Sequence, residues 1–514
     1  MAAAATILVT LVATFLAAAL LWPQADAHGS AGWSKPTTDT VKSARAKLPS
    51  GSFILSEEQG KRVVLSRLEA MRHGVIVGGS GTGKSRGYFL PNAALANDTS
   101  LVCTDPKGEL WNLTSGFHPK ALRYAPTEPD ASECFNWIPL CSDARIAELC
   151  ARAIVESGQT EKTEQAWIDT ETAFLAGVFA HASTLSEPTP LTAYRLFTRQ
   201  TVESLIQTLL NSPSEAAREQ GMVFSQTQER MRGSIVPVVA AKLQFLRDPA
   251  VMRFTSASLD PARLGSLRTT PTAVYWCLQE HDIVRLRPLT SLFFSLLLEQ
   301  LAAEPVKENH AIPVRMLLDE FANIGKIPNF ASTLSLARGR GLSIWLGIQS
   351  LGQLESEYGK AHARTIVSNC STKVALSGLD VESAEYFSRA LGERTFRKRR
   401  LSLHSKTPVS LTGSYTSTKA EHARALLTPD EVRRIREDQA IVIVGNRRPM
   451  LLAKNYYSKP AFTAHTSPLP FARAETIVER RKEPPPLPVE LLQYGARPRR
   501  AAGSSRRAGH LRRA

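Results

Sequence analysis

The 514 residues are 43% hydrophobic and 21% charged, enough apolar material for two or three buried cores, which excludes a chain disordered throughout. Lys plus Arg number 63 against 47 Asp plus Glu, a net charge of +16 that suits a polyanionic partner or surface. Six cysteines (Cys103, Cys134, Cys141, Cys150, Cys277, Cys370) are scattered with no CxxC spacing, which excludes a disulfide framework or a zinc site and fits a reducing compartment.

Residues 2–22 carry no charge, and at ~1.5 Å rise each they would span about 30 Å, the thickness of a bilayer core. Ala25-Asp26-Ala27 has the form of a signal-peptide cleavage site. However, no Lys or Arg precedes the run, whereas Lys35, Lys42, Arg45 and Lys47 follow it. The positive-inside bias therefore predicts one transmembrane anchor over 1–22, with the body of the protein in the cytoplasm. Residues 23–51 lack periodicity and are expected to be a juxtamembrane linker.

From 52 to 143 short β-type runs at 74–78, 100–104 and 121–125 alternate with helical segments, the pattern of a parallel α/β sheet. Helical periodicity alone then dominates 144–263, which predicts an all-helical insert. Strands resume in 264–460, at 273–279, 314–318, 342–348 and 373–379, and 440–444 with 450–453 should close as an edge hairpin. Beyond 460 the composition turns to Pro and Arg. Pro484-Pro485-Pro486-Leu487-Pro488 and seven arginines (Arg497, Arg499, Arg500, Arg506, Arg507, Arg512, Arg513) predict a disordered basic tail over 461–514.

Gly78-Gly79-Ser80-Gly81-Thr82-Gly83-Lys84-Ser85 satisfies G-x(4)-G-K-[ST] between an apolar run and a helical segment. The glycines let backbone N–H groups turn inward onto phosphate oxygens, Lys84 reaches the β and γ phosphates, and the Ser85 hydroxyl serves Mg²⁺. ATP and Mg²⁺ are the expected ligands.

Hydrolysis needs a second, acidic strand, and Val314-Arg315-Met316-Leu317-Leu318 ends in Asp319-Glu320. Asp319 is expected on the Mg²⁺ shell and Glu320 on the attacking water. The strand at 342–348 ends in Gln349, whose amide suits phosphate sensing or an ordinary strand end equally. Between these strands Arg338-Gly339-Arg340-Gly341 closes a predicted helix over 329–338. Arg338 there serves either the helix dipole or, in a ring ATPase, the γ-phosphate of a neighbouring subunit.

Several further blocks carry a resemblance. They are Arg86-Gly87-Tyr88-Phe89-Leu90-Pro91-Asn92, Asp105-Pro106-Lys107-Gly108-Glu109-Leu110-Trp111, Asn136-Trp137-Ile138-Pro139-Leu140, and above all Leu318-Asp319-Glu320-Phe321-Ala322-Asn323-Ile324-Gly325-Lys326-Ile327-Pro328-Asn329-Phe330 running on to Gln349-Ser350. Over roughly 53–455 the chain resembles the type IV secretion coupling proteins, the membrane-anchored conjugative DNA-transfer ATPases of the TraG type. The resemblance implies a RecA-like P-loop motor domain with an inserted all-helical domain, assembled as a homo-hexamer at the bacterial inner membrane. It also implies ATPase-driven conjugative transfer, with DNA, relaxase or relaxosome proteins and type IV secretion channel components as partners. Arg338 matches the family's trans-acting arginine and Gln349 its phosphate-contacting glutamine. For Asp105-Pro106-Lys107-Gly108-Glu109 a place near the nucleotide and a structural turn remain equal readings. Family members typically have two membrane helices, where this sequence offers one. The alternatives are a secretion-substrate receptor with little ATPase activity and a segregation-type double-stranded DNA pump.

Overall fold

The computed structural model describes residues 29–37, 40–43, 48–95, 98–158, 164–256, 266–302, 312–404 and 414–455, with backbone alone for 397–404 and 414–421. The expected anchor over 1–22, the linker residues before 29 and the basic tail over 461–514 lie outside the described residues. Among the described residues no helix is long and apolar enough to cross a membrane.

The strands in chain order are β1 (Val41–Ser43), β2 (Phe53–Glu58), β3 (Lys61–Leu65), β4 (Gly74–Val77), β5 (Ser100–Asp105), β6 (Ala121–Tyr124) and β7 (Ala273–Cys277). They continue with β8 (Val314–Leu318), β9 (Leu342–Ile348), β10 (Thr372–Ala375), β11 (Glu393–His404), β12 (Ser414–Ala425), β13 (Gln439–Val444) and β14 (Met450–Ala453). Of the described residues, one compact unit gathers those in 29–99, 315–322 and 331–455, and a second gathers those in 100–314 and 323–330.

In the first unit six strands lie in the order β14-β13-β10-β4-β9-β8. β10, β4 and β9 are parallel, whereas β13 runs antiparallel to both β10 and β14, so the sheet is mixed. Every residue of β4, β8 and β9 is buried, as continuous apolar strands covered on both faces should be. Gly74 opens β4 because a Cβ there would lie 2.4 Å from the Trp345 ring. That buried indole in turn stacks on Phe53 with centroids 3.4 Å apart.

The expected edge hairpin is present as β13 and β14, and the strands read at 74–78, 314–318, 342–348 and 373–379 fall on β4, β8, β9 and β10. An unforeseen feature is the β2–β3 hairpin, with β1 paired antiparallel to β3. It closes through Gln59 and Gly60, both at positive φ (50° and 73°), the backbone that a tight two-residue hairpin turn requires. Near the turn Glu57 and Arg62 face each other in register and form a buried 2.7 Å ion pair. β11 and β12 form a separate antiparallel ribbon.

Asn92 fastens the hairpin to the helix that follows the P-loop. Its Oδ1 accepts the Ile54 N–H at 2.7 Å, and its Nδ2 donates to Ile54 O at 2.9 Å and Tyr88 O at 2.8 Å, imitating a strand partner. Arg315, buried in β8, donates to Ser52 O at 2.6 Å and lies over the Phe53 ring.

In the second unit β5, β7 and β6 are parallel in that order. The described segments between β6 and β7 form only helices: after short turns come Ala144–Glu156, Gln165–Ala182, Pro190–Arg199, Val202–Leu210, Glu215–Ser225, Glu229–Lys242 and Pro249–Phe254. Asp143, Thr189, Thr201, Ser214 and Asp248 cap five of these by accepting a first-turn N–H, which sets each helix start. Phe174 stacks on Phe224 at 3.8 Å, and Lys242 ties two helices by donating to Glu171 at 2.5 Å and Val155 O at 3.1 Å. Asp105 accepts the Trp111 N–H at 2.8 Å while Gly108 turns at φ 70°, so this motif starts the helix Glu109–Thr114.

Asn92→Ala should leave the Ile54 N–H and carbonyl unpaired in a buried site. The expected loss is about 2–4 kcal/mol of unfolding free energy, read as a lower urea midpoint.

Candidate nucleotide site

β4 delivers the glycine-rich loop to the sheet's edge. Gly78 N–H donates to Ile348 O at 3.1 Å and Leu376 N–H donates to Val77 O at 2.9 Å, so β9 and β10 hold the loop's root from both sides. Gly78 admits no side chain: a Cβ would meet Thr82 Oγ1 at 2.7 Å and Leu376 Cβ at 2.8 Å. Gly81 and Gly83 take φ of 76° and 95°, turning the backbone into an open concave nest that L residues cannot form without strain. Ser85–Phe89 then winds as a wider π-type turn, Leu90 N–H bonding Ser85 O, and passes into the helix Leu90–Ala94. Pro91, which lacks an N–H, sits where the pitch changes.

Three strand ends converge here. Lys84 is 4% exposed, and its Nζ donates to Gly78 O at 2.7 Å and Gly79 O at 3.2 Å and stands 3.4 Å from Glu320 Oε1. From the end of β8, Asp319 Oδ2 accepts the Ser85 hydroxyl and Oδ1 accepts the Glu320 N–H at 3.0 Å. Glu320 adopts φ 50°, a left-handed conformation costing on the order of 1 kcal/mol for a non-glycine residue. From the end of β9, Gln349 Nε2 donates to Glu320 Oε2 at 3.0 Å.

Burial, with the neighbouring Glu320 charge adding to it, pushes the Asp319 carboxyl up to about 6, against the Ser85 hydrogen bond and the Lys84 charge, which favour ionisation. A hydroxyl beside a buried carboxylate is a hard-oxygen donor set of the kind Mg²⁺ takes, and the nest with Lys84 matches phosphate oxygens. The residues present therefore fit a magnesium nucleotide.

Lys84, Ser85, Asp319, Glu320 and Gln349 are thus brought together, with Gly78, Gly79, Ser80, Gly81, Thr82 and Gly83 forming the loop. Arg338 is not among them. The expected helix runs Phe330–Ala337 and ends in a tighter turn over Arg338–Arg340, closed by Gly341 at φ 67°. Arg338 is exposed, and its charge acts on His73. His73 precedes β4, at the end of that strand opposite the P-loop. It accepts the Ile344 N–H at Nδ1 (3.1 Å), and burial, opposed by the Leu334 backbone and joined by the Arg338 charge, pushes its ring down to about 4.

Two contributors escaped the motif search. Gly347 in β9 faces Asp319, and a Cβ there would lie 2.8 Å from Asp319 Oδ1 and 2.6 Å from Phe89. A lone glycine inside an apolar strand is the available signal for such close approach. Lys454, one residue past β14, donates from Nζ to Thr82 O at 2.7 Å, with no motif to announce it.

A family model described as "Type IV secretory system Conjugative DNA transfer" matches residues 24–479. The chain belongs to this family. It is 27% identical over 501 residues to a conjugal transfer protein TraG of Escherichia coli, covering 86% of this chain and 78% of TraG. It is 26% identical over 403 residues to protein VirD4 of Rhizobium radiobacter, covering 75% of this chain and 57% of VirD4. The unbound bacterial conjugative coupling protein TrwBdeltaN70 superposes with a TM-score of 0.64 at 19% identity, over 86% of this chain and 99% of that one, so the two share a fold. TrwB has also been solved with the ATP analogue ADPNP and with ADP and Mg²⁺. The resemblance to type IV secretion coupling proteins is therefore confirmed, and with it an α/β fold.

Asp319 carries a folded-state pKa above its ordinary 3.8, so its ionised form costs stability above about pH 6, and the cost fades as pH falls toward 4. Without divalent metal at pH 7.5, Asp319→Asn should unfold with a free energy on the order of 1–3 kcal/mol higher than wild type. The gain should shrink by pH 4.5, as paired thermal melts would show.

Proposed function

We propose that this chain is an ATP-hydrolysing motor that takes DNA, bound to its processing protein, to a type IV secretion channel. The carrying observation is the cluster at three strand ends, in which Ser85 meets Asp319 while Lys84 and Gln349 both contact Glu320. The nucleotide complexes of TrwB support this reading for a chain of the same fold.

Ser85 and Asp319 would hold Mg²⁺, which when bound neutralises charge on the transferring phosphoryl group. The nest N–H groups grip phosphate oxygens, and Lys84 exchanges the Gly78 and Gly79 carbonyls for them. Glu320, aimed by its left-handed backbone, takes the proton of the attacking water at a carboxylate oxygen. Gln349, bonded to the same carboxylate, orients it and senses the phosphate's departure.

Arg338 belongs, in this reading, to the neighbouring site of a homo-hexamer. It is exposed, and its charge acts on His73, at the end of β4 opposite its own P-loop, which supports a role in the site next door. Membrane attachment through 1–22 rests on the charge asymmetry around that run. The basic tail over 461–514 is proposed as a sequence-independent DNA arm.

Lys84→Ala should weaken ATP binding by 100-fold or more, on the order of 3 kcal/mol, whereas Glu320→Gln should hold ATP within about threefold of wild type yet hydrolyse it roughly 10²–10⁴-fold more slowly. Fluorescent-nucleotide titration with phosphate release measures both. Normal turnover by Glu320→Gln would remove it from the role of base.

Arg338→Ala and Lys84→Ala subunits should each be inactive alone, while mixed rings regain some ATPase where an intact P-loop faces an intact arginine. Full activity of Arg338→Ala by itself would end the trans assignment.

A further inference from the structure

The P-loop is gripped from outside by a second lysine. Lys454 follows the last strand of the sheet, is 1% exposed, and donates from Nζ to Thr82 O at 2.7 Å. Its own N–H donates to Asp438 O at 2.8 Å, which fixes the base of the side chain beside β13. Its neighbour Asn455 is fully buried and its carbonyl lies 3.8 Å from where a Gly87 Cβ would stand, with Lys454 Cβ at 3.9 Å. The chain after β14 therefore packs on the first turn of the P-loop helix, at van der Waals distance from Gly87.

Burying an ammonium is costly, and burial does hold the Lys454 amine below its usual range, with the charges of Glu437 and Asp438 partly restoring it. The bond to Thr82 is placed where it has a consequence for ligand binding. Thr82 lies between Gly81 and Gly83, the two positive-φ glycines of the nest. In a trans peptide the carbonyl and the following N–H point in opposite directions. No cis peptide occurs among the described residues, so with the Thr82 carbonyl held toward Lys454 the Gly83 N–H points the opposite way, away from that lysine.

We propose that Lys454 is a positioning residue that orients the Gly83 N–H of the phosphate nest and adds a fixed positive charge behind it, so that the affinity for the phosphate groups of the nucleotide depends on the segment after β14. This rests on the reading of the loop as a nucleotide site. Lys84 does different work: its own Nζ is on the inner side, on Gly78 and Gly79 carbonyls and beside Glu320.

The test uses the full chain with three ligands: ATP, ADP and pyrophosphate, the last displacing a fluorescent ADP analogue. Lys454→Met keeps the length and apolar stem and removes the donor and charge. Positioning predicts that affinity for ADP and for pyrophosphate falls together, by roughly 10–50-fold, the loss of one charge-assisted hydrogen bond. KM for ATP should rise in step, kcat should stay within about threefold, and the melting midpoint without ligand should stay within a few degrees. A merely structural role would instead lower kcat and the melting midpoint while leaving the relative affinity for pyrophosphate unchanged. Unchanged pyrophosphate and ADP affinity in a variant that melts like wild type overturns the proposal. Should the methionine variant melt early, Lys454→Gln, with a shorter uncharged polar end, is held to the same criterion: at least a fivefold loss for pyrophosphate supports the role and no loss overturns it. Wild-type protein that binds fluorescent ADP no better than Lys84→Ala would sink the nucleotide reading itself, which separates that failure from this one.

Discussion

A carboxylate buried against a serine hydroxyl is the constraint around which the first unit is built. Asp319 is 4% exposed, bonded to Ser85 and to the Glu320 N–H, with Lys84 and Glu320 supplying opposing charges. A charge so placed is stabilised only if every neighbour is held in position. Gly347 gives it space that a methyl group would take, and the fully buried β8 and β9 leave its strand no room to shift. Glu320 then has one way to turn, into a left-handed backbone that returns its carboxylate to Lys84 and Gln349. Local strain and burial cost concentrate on the residues that chemistry would use, as expected where stability is traded for a preorganised site.

Segments from both halves of the first unit's sequence hold the loop and the helix that follows it. From the N-terminal side the β2–β3 hairpin reaches the P-loop helix through Asn92 and the acidic strand through Arg315. From the C-terminal side Lys454 holds the Thr82 carbonyl and Asn455 packs near Gly87. The glycine-rich loop and the helix after it are thus held by segments nearly four hundred residues apart.

Much of the site was legible because its chemistry is compressed into short strings. The glycine pattern at Gly78–Ser85 and the acids after an apolar run state their roles by residue type and spacing, and each lies at the end of a strand as the pattern requires. The β2–β3 hairpin was not legible, because each strand is an apolar run beside polar residues without alternation, and Glu57 and Arg62, which look like solvated charges, are buried as an ion pair. Lys454 was not legible either: a single lysine after an edge strand looks like a solvated charge, and only the three-dimensional course of the chain brings it to Thr82. Gly347 lay between, since its position inside an apolar strand hints at close approach without naming the partner. Arg338 lies just past its helix, in the turn Arg338–Arg340, and its nearness to His73 follows only from the fold.

Ser85 and Asp319 should form one metal site that is completed by a nucleotide held in the adjoining loop. Electron paramagnetic resonance of Mn²⁺ in place of Mg²⁺ tests it most directly on the full chain. Mn²⁺ should bind tightly only when ADP or an ATP analogue is present, with phosphorus hyperfine coupling from the nucleotide, and Ser85→Ala should weaken this bound signal. Mn²⁺ that binds equally well without nucleotide, or that shows no phosphorus coupling when nucleotide is bound, would contradict it.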